Sequence, residues 1–292
     1  FTAPSLPLFF NLATGWVLCP GRRTITRIYR LAEPRSERAH DAYHRFFRIG
    51  AWSMSRLWKQ LVEMLVNRFY PTDAVPLDLD DTAFHKSGRK VEGAGWWRDA
   101  VRSTGQKVVH CFGLNLVVLT LRGKPVERLV AVRDVLWYKV CPDQLVRLVI
   151  CRDPAGVEPD DFFFTTNLKA TAVEVIEHYA GRWSIEDTFK NVKQHLAGHT
   201  PQSWKHQGPE RTAAFSLWLY SLVWLWHLTT QRQTTCWIPA PWYRGKTTPS
   251  FADALACLRR DLWRQRIFSA SEKSALHTKN VWSLIDVLAY AA

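Results

Sequence analysis

The chain has 292 residues, of which 47% are hydrophobic and 22% charged, so it can bury a sizeable core and is no disordered tail. Lys and Arg number 39 against 26 acidic residues, and the resulting formal charge of +13 favours a polyanionic partner, nucleic acid first. Six cysteines (Cys19, Cys111, Cys141, Cys151, Cys236 and Cys257) show no Cys-x-x-Cys spacing, which argues against a zinc site or a disulfide framework and for a reducing cytoplasm.

The chain opens on Phe1 rather than Met and so reads as a piece of a longer protein. Residues 1–31 predict two short helices broken by "CPGRR", the second carrying Arg27 and Arg30 after Arg22 and Arg23. That layout suits a small DNA-binding module, and equally a basic helix packed on the main domain with its arginines in water. Residues 36–70 are helical throughout, with Tyr43, Phe46, Phe47, Leu57, Leu61, Leu65 and Phe69 at core spacing and Gly50 as the break. A linker then leads into "VPLDLDD", a short buried strand that ends in Asp78, Asp80 and Asp81. Acids at a strand end are rigidly held where a metal ion can meet them, although three together are more often a solvated turn.

Residues 93–106, rich in Trp and Arg, read as a loop, and residues 107–121 as strand with a bend at Gly113. Three β-rich runs follow, at 129–140, 145–151 and 162–166, with turn signals at Pro142, Pro154, Gly156 and Pro159 and no convincing helix among them. Residues 170–198 form one long helix, opened by Thr171 with Glu174 three residues on and stopped at Gly198. The apolar run 213–228 falls short of a membrane span and contains Ser216, Tyr220 and Ser221, so it reads as a buried helix. A Pro-rich linker and a basic amphipathic helix capped by Ser250 close the chain. The expected domains are therefore 1–74, helical; 75–232, the main α/β (α+β) domain; and 233–292, linker and basic helical tail.

The long helix carries Tyr179, Arg182, Glu186 and Lys193. At about 100° per residue all four fall on one stripe, beside an apolar face of Ile185, Phe189, Val192 and Leu196. Such a stripe on an anonymous helix is usually a solvated face. The spacing Tyr-x2-Arg-x3-Glu-x6-Lys within "YAGRWSIEDTFKNVKQHL", however, resembles the signature of insertion-sequence DDE transposases, and "LDLDDTAFHKSG" resembles their first-carboxylate strand.

The resemblance implies a ribonuclease-H-like mixed sheet with a β-rich insertion, flanked by helices at both termini. It implies Mg²⁺, with Mn²⁺ as substitute, held by Asp80 and Glu186 for DNA strand cleavage and strand transfer, while Tyr179, Arg182 and Lys193 handle DNA. Double-stranded DNA, at element ends and target, is the implied partner, with a homodimer on paired ends, no membrane, and a place at the bacterial nucleoid in the cytoplasm. The family's second Asp is not identified. Asp134 fits by order alone, Asp153 fits no better, and residues 121–129 look shortened. The alternative is a catalytically inactive, transposase-derived DNA-binding protein.

Overall fold

The computed structural model of the chain describes residues 1–33, 37–72, 74–88, 90–121, 128–154, 156, 159–201, 203–230, 237, 246, 248–269 and 278–291. Within helices, the side chains of 180–182, 269, 278–280, 282 and 283 lie outside this description, as does most of the expected linker at 234–249.

Helix α1 (Ser5–Leu18) is largely apolar and lies against α2 (Ile25–Ala32). Gly15 makes that approach fit, since a Cβ there would come within 2.5 Å of the Ile28 carbonyl oxygen. Thr24 caps α2 by accepting the Arg27 N–H, and Ser53 caps α4 (Met54–Phe69) by accepting that of Arg56. Between them α3 (His40–Ile49) ends at Gly50, as its sequence predicts. Tyr43, Phe46, Phe47, Leu57 and Leu61 are buried, and Leu65 and Phe69 pack partly buried against the same core.

The chain forms two compact units. The first comprises 1–73, 81–117 and 189–292. Its core is aromatic: Trp16, Phe47 and Trp218 all pack on Phe215 of helix α6 (Gly208–Thr229), with ring centroids 5.5–5.7 Å apart. Helix α6 contains the apolar run 213–228, and it is a core helix. No helix among the described residues is long and apolar enough to cross a membrane. Helix α7 (Phe251–Ser269) is capped by Ser250, as expected, with the Asp253 carboxylate accepting the Ser250 N–H. A further helix, α8 (Thr278–Tyr290), follows in the tail.

The second unit comprises 74–80 and 118–188. It holds an antiparallel sheet of β4 (Leu129–Trp137), β5 (Cys141–Arg152) and β6 (Asp161–Thr165), in that order. Pro142, expected in a turn, instead lies just inside β5, and the reversal is made by the Val140 N–H donating to the Trp137 carbonyl.

A separate three-stranded sheet runs β1 (Leu77–His85), β3 (His110–Leu121), β2 (Gly95–Arg98), with β1 and β3 contributing residues to both units. Two expectations fail here. Strand β2 occupies part of the stretch read as a loop, and β3 runs through Gly113 without dividing. Gly113 is required because its Cβ would stand 2.2 Å from the Phe84 carbonyl oxygen, a close approach of two backbones rather than a bend. The class is mixed α+β as read, with two small antiparallel sheets and eight helices among the described residues.

Candidate active site

Strand β1 alternates in burial, and the alternation decides which acids face inward. Asp78 and Asp80 are half-buried on the same side as Thr82 and Phe84, whereas Asp81 is exposed on the other with Leu77 and Leu79.

Helix α5 (Ala172–His195) supplies the opposing residues. Its start is a reciprocal capping box: the Thr171 N–H donates to Glu174 Oε2 (2.8 Å) and the Glu174 N–H to Thr171 Oγ1 (3.2 Å). Its end differs from expectation, because the left-handed residue is Ala197 (φ 47°) and not Gly198. Gly198 instead turns its N–H back to the Val192 carbonyl and leaves room for packing, since a Cβ there would lie 2.4 Å from Ser216 Oγ. Ile185, Phe189, Val192 and Leu196 are all buried, the apolar face the sequence predicts.

Within the second unit, Ser184 of α5 donates from Oγ to Asp78 Oδ2 at 3.5 Å, tying the helix to the acidic part of β1 across 106 residues of sequence. Glu186 follows two residues later and is half-buried. Three carboxylates therefore come from two elements held together by that contact. Tyr179 is exposed, with its ring 5.0 Å from that of Phe163, and it lines an open cavity of about 550 Å³ with Phe164, Glu174 and His178. Arg182 lies on α5, with its side chain outside the described residues.

Lys193, in the first unit, donates to Thr82 Oγ1 at 2.7 Å and stands 5.9 Å from the centre of the Phe84 ring. Burial lowers its pKa, an effect opposed by Asp99 and Cys111. It is an anchored cation.

The candidates for a second Asp have other partners. Asp134, on β4, receives both Nε and Nη2 of Arg147, its cross-strand neighbour, at 2.8 and 2.9 Å. That fork holds the Asp134 carboxyl below the usual carboxylate range. Asp153 pairs with Arg128 at 3.2 Å. Sequence order suggested Asp134 and could not see Arg147, thirteen residues away. Sequence reading missed Asp99 altogether, because it follows a four-residue strand that has no alternating pattern of its own.

The model of the DDE superfamily endonuclease family matches residues 11–157, a span of 147 residues in a chain of 292. The chain belongs to the DDE superfamily of endonucleases. The matched span includes Asp78, Asp80 and Asp134 and ends before α5, so it does not reach Tyr179, Arg182, Glu186 or Lys193. Comparison with curated proteins and with solved structures finds no match.

Carboxylate oxygens are the hard donors that Mg²⁺ and Mn²⁺ take, and Asp78, Asp80 and Glu186 are half-buried carboxylates of that type; among the described residues, however, the three donors that converge within 4.8 Å are His85, Asp99 and Cys111.

Proposed function

We propose that this DDE endonuclease is a transposase that acts at the ends of an insertion sequence, with Asp80 and Glu186 as its metal-holding carboxylates. The observation that carries the reading is the tie between Ser184 and Asp78, which brings the helix of Glu186 to the acidic strand of Asp80. Divalent ions bound there would activate the attacking oxygen and steady the leaving one. The chain's own part is to hold the carboxylates on a strand and a helix, and to place DNA with Tyr179, Arg182 and Lys193. Tyr179 offers an exposed ring for stacking. Pairing two element ends calls for two copies of the chain, and native mass measurement on end-bearing duplexes tests that number.

A second reading, a DNA-binding derivative that no longer cuts, is favoured by Asp134 and Asp153, whose carboxylates are engaged by Arg147 and Arg128. A strand-cleavage assay with Mg²⁺ or Mn²⁺ on DNA that bears the element's ends separates the two. Cutting that Asp80→Asn and Glu186→Gln abolish, and Asp134→Ala leaves unchanged, supports the first. DNA binding without cutting supports the second. Cutting abolished by Asp134→Ala would make Asp134 the second ligand and overturn the assignment of its carboxylate to Arg147 alone.

A further inference from the structure

The first unit contains a second group of potential metal donors, chemically unlike the first. His85 is the last residue of β1, Cys111 the second of β3, and Asp99 follows directly after β2. One donor atom of each lies within 4.8 Å of the other two. The cysteine spacing argued against zinc because it tests only cysteines near in sequence. Pairing of β2 with β3 sets Trp97 opposite Cys111, and so brings Asp99 beside a thiol twelve residues away.

Asp99 is built to present one oxygen. Its backbone N–H donates to the Val109 carbonyl, and its Oδ1 accepts the N–H groups of Val101 (3.1 Å) and Arg102 (3.0 Å). Oδ2 remains, on a residue only 7% exposed. The nitrogens that contact it stand back, Arg102 Nε at 3.5 Å on a side chain 66% exposed and His85 Nε2 at 3.8 Å, while Lys193, held at Thr82, acts on it electrostatically. Charge-assisted hydrogen bonds close to about 2.7–2.9 Å, so neither contact is a full one, and a cation between Oδ2, the imidazole and the thiol would compensate this buried carboxylate at closer range.

We propose that His85 Nε2, Asp99 Oδ2 and Cys111 Sγ bind a zinc-class divalent ion, with water in the fourth position, clamping the ends of three strands together. A tetrahedral zinc with bonds of about 2.0–2.3 Å sets its donors about 3.3–3.8 Å apart. The His85–Asp99 separation of 3.8 Å lies within about 0.5 Å of the value for a nitrogen and an oxygen ligand, and a movement of about 1 Å closes the rest. Thiolate and imidazole favour zinc over magnesium, so this site and the carboxylates of Asp80 and Glu186 would take different metals. Burial and Asp99 push the Cys111 thiol up, and the ion would displace its proton.

The test is titration of the metal-free full chain with Co²⁺, reading the thiolate-to-cobalt charge-transfer absorption, followed by displacement with Zn²⁺. The expected result is a one-to-one band that Zn²⁺ removes and excess Mg²⁺ does not. Cys111→Ser should abolish it. His85→Ala, a change at an exposed side chain with the fold checked by circular dichroism, should weaken Co²⁺ binding by at least the ~10–100-fold that loss of an outer-shell partner costs. Cys151→Ser should leave it intact. Absence of the band, its persistence in Cys111→Ser, indifference to His85→Ala, or displacement by Mg²⁺ would each overturn the site. None of these readouts depends on DNA cleavage.

Discussion

The buried arginines of the first unit and the arginines of the second unit's sheet differ in their main partners. In the first, buried arginines serve backbone carbonyls at helix ends: Arg23 donates to the Trp16 and Gly21 carbonyls, Arg211 to those of Phe47, Gly50 and Trp52, and Arg259 to those of Val17, Ala289 and Ala291. Helix C-termini carry unsatisfied carbonyls and a partial negative charge, which makes a guanidinium a suitable internal cap. In the second unit Arg128, Arg147 and Arg152 pair with Asp153, Asp134 and Asp160. Neither set is directed at a phosphate. A formal charge of +13 therefore overstates the surface that faces DNA, and exposed Arg22, Arg27 and Arg30 are better candidates than their neighbour Arg23.

The largest expected effect follows from removing an internal cap. Arg23 is 2% exposed, and burial, with Arg259 nearby, lowers its pKa to about 10. Arg23→Met leaves the Trp16 and Gly21 carbonyls without that donor, at a cost of about 1–3 kcal/mol each. Urea unfolding should show a clear fall in midpoint. Arg152→Met, at the more exposed pair with Asp160, should leave the midpoint unmoved. Equal shifts would erase the contrast between the units.

Lys86 sharpens the same contrast through pH. It too caps carbonyls, those of His199 and Pro201 at 3.0 and 3.1 Å, and burial lowers its pKa to about 8. The unfolded chain, with lysine near 10.4, then binds more protons than the folded one between about pH 8 and 10.4, so stability rises with pH across that window. The rise is of order 3 kcal/mol and levels off below pH 8. Stability measured from pH 7 to 11 should lose this slope in Lys86→Met. Retention of the slope would show that other groups carry it.

Gly113→Ala should cost somewhat less, about 1–3 kcal/mol, because its Cβ would strike the Phe84 carbonyl, which a strand cannot easily move. Thermal unfolding should detect it, while Gly105→Ala, where nothing lies within 4 Å, should be silent.

These positions also show where the sequence is legible. The capping box at Thr171 and Glu174, the break at Gly50 and the inward face of β1 are local, set by residues three or four apart or alternating, and so could be read directly. Strand β2, the role of Gly113 and the Asp99 cluster depend on pairing with β3, which no local pattern encodes. The same holds for the chemistry. Asp80 and Glu186 are named through a resemblance to a family, whereas the arginine that engages Asp134, the Thr82 hydroxyl under Lys193 and the carbonyls around Arg23 appear only once the chain is folded.

The smallest effect tests which cations face DNA. A residue that neutralises one phosphate contributes about one to the slope of log K against log salt, whatever the sequence bound. Lys193 is half-buried, and Thr82 takes one of the three donors of its ammonium. If the remaining donors meet a phosphate, Lys193→Ala lowers the slope by about one and weakens cognate and unrelated duplexes alike. If Lys193 serves only Thr82, the slope is unchanged. Thr82→Val keeps the charge and removes the anchor, so it should leave the slope intact in the first case. Arg23→Lys, a change at an internal cap, should leave it intact in both. A fall in slope with Arg23→Lys would mean that an arginine recorded as internal reaches DNA after all, and the division between inward and outward charge would then fail where it is drawn most firmly.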